Sequence, residues 1–426
     1  MLLAAQSLLG VLAIPLLAWA LAGRGGRMPA GVALKWVAIG LALQFGLAVA
    51  LTQLPWTRAA FDALGRGVMA LQAAVDAGAQ LVFGYLAGGP APFAATAPEN
   101  GFVLAFRMLP MILVVSAIVR LLYHWGVLQW VVAQFARLLQ RSLGIGGPLA
   151  TVSAASVFLG LVEAPLIVRP YLKSMGRGAL FATITVTMAT VAGTVLAIYA
   201  TILSTSLPGA AGHLLSASVI NVPAALVIAR LMVCDGFAGG PDTATITFGE
   251  PAASSIDAIV QGTMDGVQLI VGVAALLIVT IALLTLVNGM LGSLGDVVGA
   301  RLSAEGLMGL AFAPAAWLLG IPWAEAGTAG ALLGKKLVFN EFLAYLDLAR
   351  TPSGELSERS RLILTYAMCG FANLGSLGIS IGALAAMAPE RRAEIVELVP
   401  RAVVAGMLAT WLSGAVIGTL IWGPAP

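Results

Sequence analysis

The stretch Gly160-Leu161-Val162-Glu163-Ala164-Pro165-Leu166-Ile167-Val168-Arg169-Pro170 puts an acid, an arginine and two prolines inside one of the most apolar regions of the chain. A carboxylate in hydrocarbon costs at least ~2.5–3.5 kcal/mol on insertion scales, so one that persists there marks a functional position. A second place of the same kind is Val338-Phe339-Asn340-Glu341-Phe342-Leu343-Ala344-Tyr345. The expectation is that Glu163 and Glu341 face each other across a substrate site.

The surroundings of both stretches define the class of protein. Of 426 residues, 60% are hydrophobic and 10% charged, where a soluble chain carries about 25% charged residues. The net charge of +3 is small and the basic residues are dispersed, which excludes a nucleic-acid patch and fits membrane flanks. Cys234 and Cys369 give no disulfide framework, and the isolated His124 and His213 give no metal cluster. Residues 329–336 lack the first glycine and the closing Ser/Thr of a phosphate loop, so an ATP-driven pump is not supported. The apolar N-terminal run has no basic leader or small-residue cleavage site and reads as a first span.

Runs of roughly 20 apolar residues, enough to cross ~30 Å of hydrocarbon, fall at 2–21, 31–51, 102–123, 180–207, 214–232, 267–291, 362–387 and 399–421. Mixed polar patterns at 56–87 and 127–143, and the run 307–323, read as interfacial helices. Arg24, Arg27, Arg137, Arg141, Lys173, Arg177, Arg391 and Arg392 set the inner side, which leaves both termini outside. The loop 88–100 carries no Lys or Arg and falls outside, while 235–255 is a polar loop. Arg350, Arg359 and Arg361 fall on the outer side, against the scheme, in company with Glu355 and Glu358.

By parity, the broken segment 149–172 enters from the inside and 324–348 from the outside. Both are too interrupted to be plain crossings and read as helical hairpins that dip in and return, which requires protein or a water-filled cavity around them. Each precedes a span interrupted near its middle, by Thr190-Val191-Ala192-Gly193-Thr194 and by Phe371-Ala372-Asn373-Leu374-Gly375-Ser376, roughly thirty residues after its glutamate. Two such units of opposite orientation make the inverted-repeat plan of secondary transporters. The fold class is therefore an all-α polytopic membrane protein, with eight transmembrane helices, two re-entrant hairpins and interfacial amphipathic helices.

Each polar residue has a plain structural reading beside the functional one. Glu163 and Glu341 could pair with Arg169 and Lys336 and simply hold the bundle. Alternatively they accept hydrogen bonds from substrate, or carry a coupling proton once low dielectric raises their affinity for it. Asn373 and Ser376 lie three apart, on one helix face, where ordinary interhelical bonding is the alternative. Arg107, inside a span, reads as a structural or snorkelling residue. A membrane enzyme with Glu163 and Glu341 as an acid–base pair is a further reading, opposed by the repeat.

Across residues 101–420 the chain resembles the concentrative nucleoside transporter family. The resemblance rests on Gly101-Phe102, Ala105-Phe106-Arg107 and Leu109-Pro110, on Glu163-Ala164-Pro165-Leu166 with Val168-Arg169-Pro170, on Asn340-Glu341-Phe342 with Ala344-Tyr345, on Cys369-Gly370-Phe371-Ala372-Asn373, and on Ala388-Pro389 with Arg391-Arg392. It implies a homotrimer that moves nucleosides with sodium or protons by an elevator-like movement, with one site per protomer. It implies no cofactor beyond the coupling cation, no nucleic-acid partner and no enzymatic step. The implied location is a bacterial-type inner (plasma) membrane. The implied blocks are 1–145 (scaffold and trimer contacts), 146–233 (first hairpin, spans four and five), 234–323 (loop, span six, interfacial helix) and 324–426 (second hairpin, spans seven and eight).

Carried over by residue, Glu341, Asn373 and Ser376 match the family's ribose-binding positions, and Phe371 and Val195 its apolar contacts. The base side departs. The family's first hairpin reads Gly-Gln-Thr/Ser-Glu, and here Gly160 is followed by Leu161, Val162 and Glu163. A site that loses two hydrogen-bonding groups changes what it discriminates. The sodium site departs as well. Ser156 stands for an asparagine and Thr190 for a serine, with backbone carbonyls expected from Leu159 and Val191. Proton coupling through Glu163 or Glu341 thus stands beside sodium coupling. The alternative cargo is another sugar-bearing compound, lipid-linked or a nucleoside conjugate.

Overall fold

All regular elements are helical in the described residues 2–22, 27–94, 101–235, 237, 252–299 and 302–421 of this computed structural model. A backbone group that meets lipid must be bonded within its own segment, and a helix bonds each one in turn. α1 (Leu2–Ala20) and α2 (Ala30–Thr52) are almost wholly apolar. α3 (Pro55–Phe83) follows as one 29-residue helix. α4 (Leu104–Arg107) and α5 (Pro110–His124) part at Met108 and Leu109, so the third expected span begins with a broken turn. α6 (Val127–Leu143) is bounded by Gly126 and Gly144 at φ +78° and +59°, a backbone region open to glycine without strain.

The first hairpin consists of α7 (Gly147–Ala155), a turn, and the short helices α8 (Glu163–Ile167) and α9 (Arg169–Leu172). Pro165 and Pro170 each lie in the first turn of one of those helices, where no intrahelical donor is required. α10 (Arg177–Ala189) and α11 (Gly193–Leu203) form the broken fourth span, and α12 (Ala210–Met232) runs unbroken. α13 (Ser255–Val298) is 44 residues long, about 66 Å at 1.5 Å per residue, and overruns the expected 267–291 at both ends. Its apolar middle marks only the part in hydrocarbon. The helix begins earlier because the Ser254 hydroxyl accepts the Asp257 N–H at 3.1 Å and caps it.

α14 (Ala304–Leu318) turns by 116° into α15 (Trp323–Val338). It is apolar on all sides and packs along α15, so the interfacial helix expected at 307–323 is shorter and lacks a polar face. α16 (Glu341–Arg350) completes the second hairpin, α17 (Glu358–Ala367) and α18 (Leu374–Met387) the broken seventh span, and α19 (Arg392–Leu420) closes the chain. Eight helices among the described residues are long and apolar enough to cross a bilayer. That number equals the expected one with a different membership. Ala59–Ala87, expected at the interface, qualifies by length and hydropathy, and the seventh span, cut in two, does not.

The order helix, hairpin, broken helix, unbroken helix occurs twice, from α6 to α12 and from α14 to α19. α10 and α11 pack on α12, α17 and α18 pack on α19, and α12 packs on α19. α1 and α2 lie against α12 and α19, while α5 and α13 form a close pair that meets the rest largely through α11 and α6.

The two breaks meet. Phe371 N–H donates to Thr190 O at 3.3 Å. The Asn221 amide donates to Ala189 O at 2.8 Å and to Cys369 O at 2.6 Å, one carbonyl from each broken helix. Ser218 Oγ accepts the Val191 N–H at 3.1 Å. At Gly370 a Cβ would stand 2.8 Å from the Ala189 backbone, so the approach requires glycine.

Two of the arginines that oppose the orientation scheme have structural work. Arg359 donates to the carbonyls of Gly418 at 2.6 Å and Ile421 at 2.9 Å, with Leu3 and Gly320 farther off. Arg361 donates to the carbonyls of Leu348, Thr351 and Pro352. They cap helix ends and do not act as free loop charges. On the opposite side, Lys173, Arg177 and Arg391 pair with Glu390, Glu394 and Glu397. Arg107 lies 5.9 Å over the Phe102 ring, and both cysteines are free thiols. Arg24, residues 95–100 of the loop expected at 88–100 and most of the loop expected at 235–255 lie outside the described residues.

Asn221→Leu removes both bridging donors and leaves two buried carbonyls unpaired, a loss of roughly 1–3 kcal/mol. Thermal aggregation of the detergent-solubilised variant is expected to begin several degrees below wild type. An unchanged aggregation temperature would show that the breaks are held together by other contacts.

Candidate functional site

Each hairpin brings its turn onto one of the broken helices. On the first, Phe158 O accepts the Gly193 N–H at 2.9 Å. On the second, the buried Lys336 ammonium donates to Ala372 O at 2.8 Å. The loop between α15 and α16 ends at Asn340, whose Oδ1 accepts the Leu343 N–H at 2.9 Å and caps α16. That cap fixes Glu341 at the first helical position, 4% exposed. Glu341 Oε1 accepts the Tyr199 hydroxyl at 2.7 Å and Oε2 accepts the Asn373 amide at 3.1 Å. Asn373 in turn caps α18, its Oδ1 accepting Ser376 N–H at 2.9 Å and Ser376 Oγ–H at 3.1 Å. A continuous line of hydrogen bonds thus runs from α11 through the second hairpin to α18.

The first hairpin is different in kind. Leu161 and Val162 are half-buried in its turn, and Glu163 opens α8 with its carboxylate exposed. Among the described residues Glu163 has no hydrogen-bond or ion-pair partner. Neither plain pairing forms: Arg169 does not reach Glu163, and Lys336 bonds a carbonyl in the seventh-span break without an ion-pair contact to Glu341.

Leu161, Val162, Glu163, Val195, Glu341, Phe371, Asn373 and Ser376 all line one cavity of about 370 Å³, together with Tyr199, Thr194 and Asn340. That volume lies within the usual range for small-molecule sites. Its opposite wall comes from α5 and α13, with aliphatic residues and the Arg120–Asp265 ion pair at 2.9 Å. Polar groups collect at the second hairpin and α18, whereas the first hairpin contributes aliphatic carbon and one free carboxylate.

The expected cation residues flank the Phe158–Gly193 contact. Ser156 and Thr190 are buried, and each hydroxyl donates to its own helix, Ser156 to Ser153 O at 2.8 Å and Thr190 to Val186 O at 3.0 Å. Their oxygens keep lone pairs. The carbonyls of Leu159 and Val191 would complete an all-oxygen donor set, the kind a hard cation takes. Val191 O already accepts Ser218 Oγ at 3.5 Å.

Sequence reasoning missed Tyr199, the partner of Glu341. The signal was present, because Tyr199 follows Val195 by four residues and so shares its helix face. Lys336 was recognised, but as a partner for the wrong group.

Residues 9–86, 105–206 and 213–418 match the families described as Na+ dependent nucleoside transporter N-terminus, Nucleoside recognition, and Na+ dependent nucleoside transporter C-terminus. An uncharacterized transporter of Haemophilus influenzae is 35% identical over 403 residues, covering 92% of each chain. The nucleoside permease NupC of Helicobacter pylori is 31% identical over 425 residues, 97% of each. Human solute carrier family 28 member 3 is 32% identical over 92% of this chain and 57% of its own length. The structure of CNTnw in an inward-facing substrate-bound state superposes with a TM-score of 0.86 at 33% identity, over 98% of this chain and 97% of that one. An outward-facing variant of CNTnw gives 0.89 at 33% identity, again over 98% and 97%. The chain belongs to the concentrative nucleoside transporter family, a family of transporters and not of enzymes.

Proposed function

We propose that the chain is a cation-coupled symporter that takes up nucleosides or nucleoside-like compounds. It works by elevator-type alternating access, as a homotrimer in an inner (plasma) membrane with both termini outside. The observation that carries this reading is the bonded line Tyr199–Glu341–Asn373–Ser376 on the wall of a single cavity between the hairpin turns and the broken helices.

Each carboxylate oxygen of Glu341 holds one internal bond and keeps lone-pair capacity for another. A pair of neighbouring ribose hydroxyls can therefore donate to it without displacing Tyr199 or Asn373. Because the carboxylate is held before substrate arrives, little ordering is left for binding to accomplish. Phe371 and Val195, both half-buried, offer apolar surface beside the sugar. Leu161 and Val162 carry no hydrogen-bonding side-chain atoms, so the first hairpin presents only Glu163 to a base.

The coupling cation is sodium or a proton, and each has a place. The oxygens of Ser156, Leu159, Thr190 and Val191 would receive sodium. The unbonded carboxylate of Glu163, or that of Glu341, would receive a proton. The hairpins and broken helices form the moving unit, and α5 with α13 the part it moves against. The aliphatic wall of Leu161, Val162 and Leu166 also favours a second cargo class, a sugar-bearing compound with an apolar extension, such as a lipid-linked sugar or a nucleoside conjugate.

Proteoliposomes with an imposed inward sodium or proton gradient are expected to accumulate labelled uridine, and the gradient that supports uptake identifies the cation. No accumulation under either gradient would refute nucleoside symport. Glu341→Gln replaces a charged acceptor by a neutral amide and is expected to lower uptake efficiency roughly 10- to 100-fold, the loss of one charged hydrogen bond. Leu161→Gln combined with Val162→Thr returns two polar groups to the first hairpin and is expected to make binding selective for uridine. Identical nucleoside affinities in the double variant and wild type would remove the first hairpin from base recognition.

A further inference from the structure

One polar group in the cavity has no part in the site just described. It lies on the wall formed by α5 and α13. Arg120 Nε donates to Asp265 Oδ2 at 2.9 Å, with the two side chains 33% and 48% exposed. The terminal amino groups of Arg120 and the second carboxylate oxygen of Asp265 have no partner among the described residues. One turn earlier on α5 is Ser116, 5% exposed, whose hydroxyl is buried and unpaired. All three residues line the same cavity as Leu161, Val162 and Glu341.

The pair is built into the helix crossing. Gly262 and Gly266 stand on either side of Asp265 in sequence, four apart on α13, which is the small-residue spacing that brings membrane helices close. A Cβ at Gly262 would lie 2.6 Å from Ser116 O and 2.9 Å from Arg120 Cβ, and one at Gly266 would lie 2.9 Å from Leu113 Cα. The two glycines thus hold α5 and α13 in backbone contact over the turns that carry Ser116 and Arg120. A half-desolvated ion pair and a buried hydroxyl that satisfy no other protein group carry a desolvation cost, which a polar ligand would relieve.

We infer that Ser116, Arg120 and Asp265 form a second polar subsite, which reads the hydrogen-bonding edge of the base in place of the polar groups absent from the first hairpin. The inference rests on the reading of this cavity as the nucleoside site. Guanidinium donors beside a carboxylate acceptor match an edge that has an acceptor next to a donor. The C=O and N–H of a uracil ring are such an edge, and so are the ring nitrogen and exocyclic amine of adenine. Leu161 and Val162 then need only exclude water from the ring face, while the ribose end is held by Glu341, Asn373 and Ser376.

The probes are uridine, 3-methyluridine, which loses the base donor, and 2′,3′-dideoxyuridine, which loses the sugar hydroxyls, all measured as uptake into proteoliposomes. Wild type is expected to prefer uridine to 3-methyluridine by about tenfold or more, as a site with hydrogen-bonding groups does toward a ligand that leaves them unpaired. Arg120→Gln combined with Asp265→Asn is expected to bring that ratio close to one. Ser116→Val, which leaves the ion pair intact, should lower it several-fold. Both variants should keep the wild-type preference for uridine over the dideoxy compound. Glu341→Gln should do the reverse, losing the sugar preference and keeping the base preference. An unchanged base ratio in Ser116→Val and in the Arg120→Gln, Asp265→Asn double variant, or in Ser116→Val alone where the double variant does not fold, would overturn the subsite and leave nucleoside transport standing. Failure of wild type to take up uridine at all would overturn the reading of the cavity and the subsite with it.

Discussion

Where α10 gives way to α11 and where α17 gives way to α18, the backbone loses its intrahelical bonds inside a layer with no water to replace them. Every other placement near the site follows from how those groups are satisfied. The breaks bond to each other through Phe371 and Thr190, and Asn221 closes one carbonyl on each side. A single asparagine on α12 thereby ties together two halves that run in opposite senses. Gly370 permits the approach, since any side chain there would meet the Ala189 backbone. The Gly193 amide and the Ala372 carbonyl, left over at this junction, are met by the two hairpins.

The two hairpins meet their breaks by different chemistry. The first uses its own backbone, the Phe158 carbonyl against the Gly193 amide. The second uses a buried ammonium, Lys336, against the Ala372 carbonyl. A side-chain tether reaches farther than a backbone one, so the second hairpin can stand off enough for Glu341 to lie between Tyr199 and Asn373. The cap at Asn340 and the cap at Asn373 then aim both helix starts, α16 and α18, at the cavity. Helix starts carry unpaired N–H groups and a partial positive charge, which favours the negative charge of Glu341 between them.

Much of this was legible in the residues. Glu163 and Glu341 stood out because charge in hydrocarbon needs a reason, and Thr190–Thr194 and Phe371–Ser376 because small and polar residues interrupt spans. Those signals are local, and they located both hairpins and the polar residues Glu163, Glu341, Asn373 and Ser376, while Leu161, Val162, Val195 and Phe371 were singled out through the family resemblance; all eight line the cavity. What depends on approach between distant segments was not legible. Tyr199 reads as one more aromatic in an apolar helix until α16 is laid beside α11. Arg359 and Arg361 read as misplaced loop charges until the carbonyls of three separate helix ends are seen around them. Ends of elements failed for a related reason. Hydropathy registers hydrocarbon, whereas α13 continues through Asp257, Gln261 and Asp265 because capping and helix–helix packing extend beyond it. Packing between distant helices is hidden in the same way, since α1 and α2 open the chain and yet lie against α12 and α19.

The arrangement also leaves the cavity with fixed polar groups away from the aliphatic first hairpin. Hydrogen-bonding capacity is concentrated at the second hairpin, where Glu341, Asn373 and Tyr199 already fix one another, and at the α5–α13 wall, where Arg120 and Asp265 do the same. Groups fixed by protein partners are directional, and a ligand must fit them. Leu161 and Val162 need no such fixing, since aliphatic contact is tolerant of shape. Glu163 is the exception on that side, a carboxylate exposed in the cavity with no protein partner among the described residues. A charge left free between two sets of fixed groups is the one most easily neutralised by whatever arrives, and both a cation and an amino group on the cargo can do so. The first hairpin thus presents aliphatic carbon and one charge to the cavity. Under the proposed symport, that charge is where substrate and coupling ion would meet.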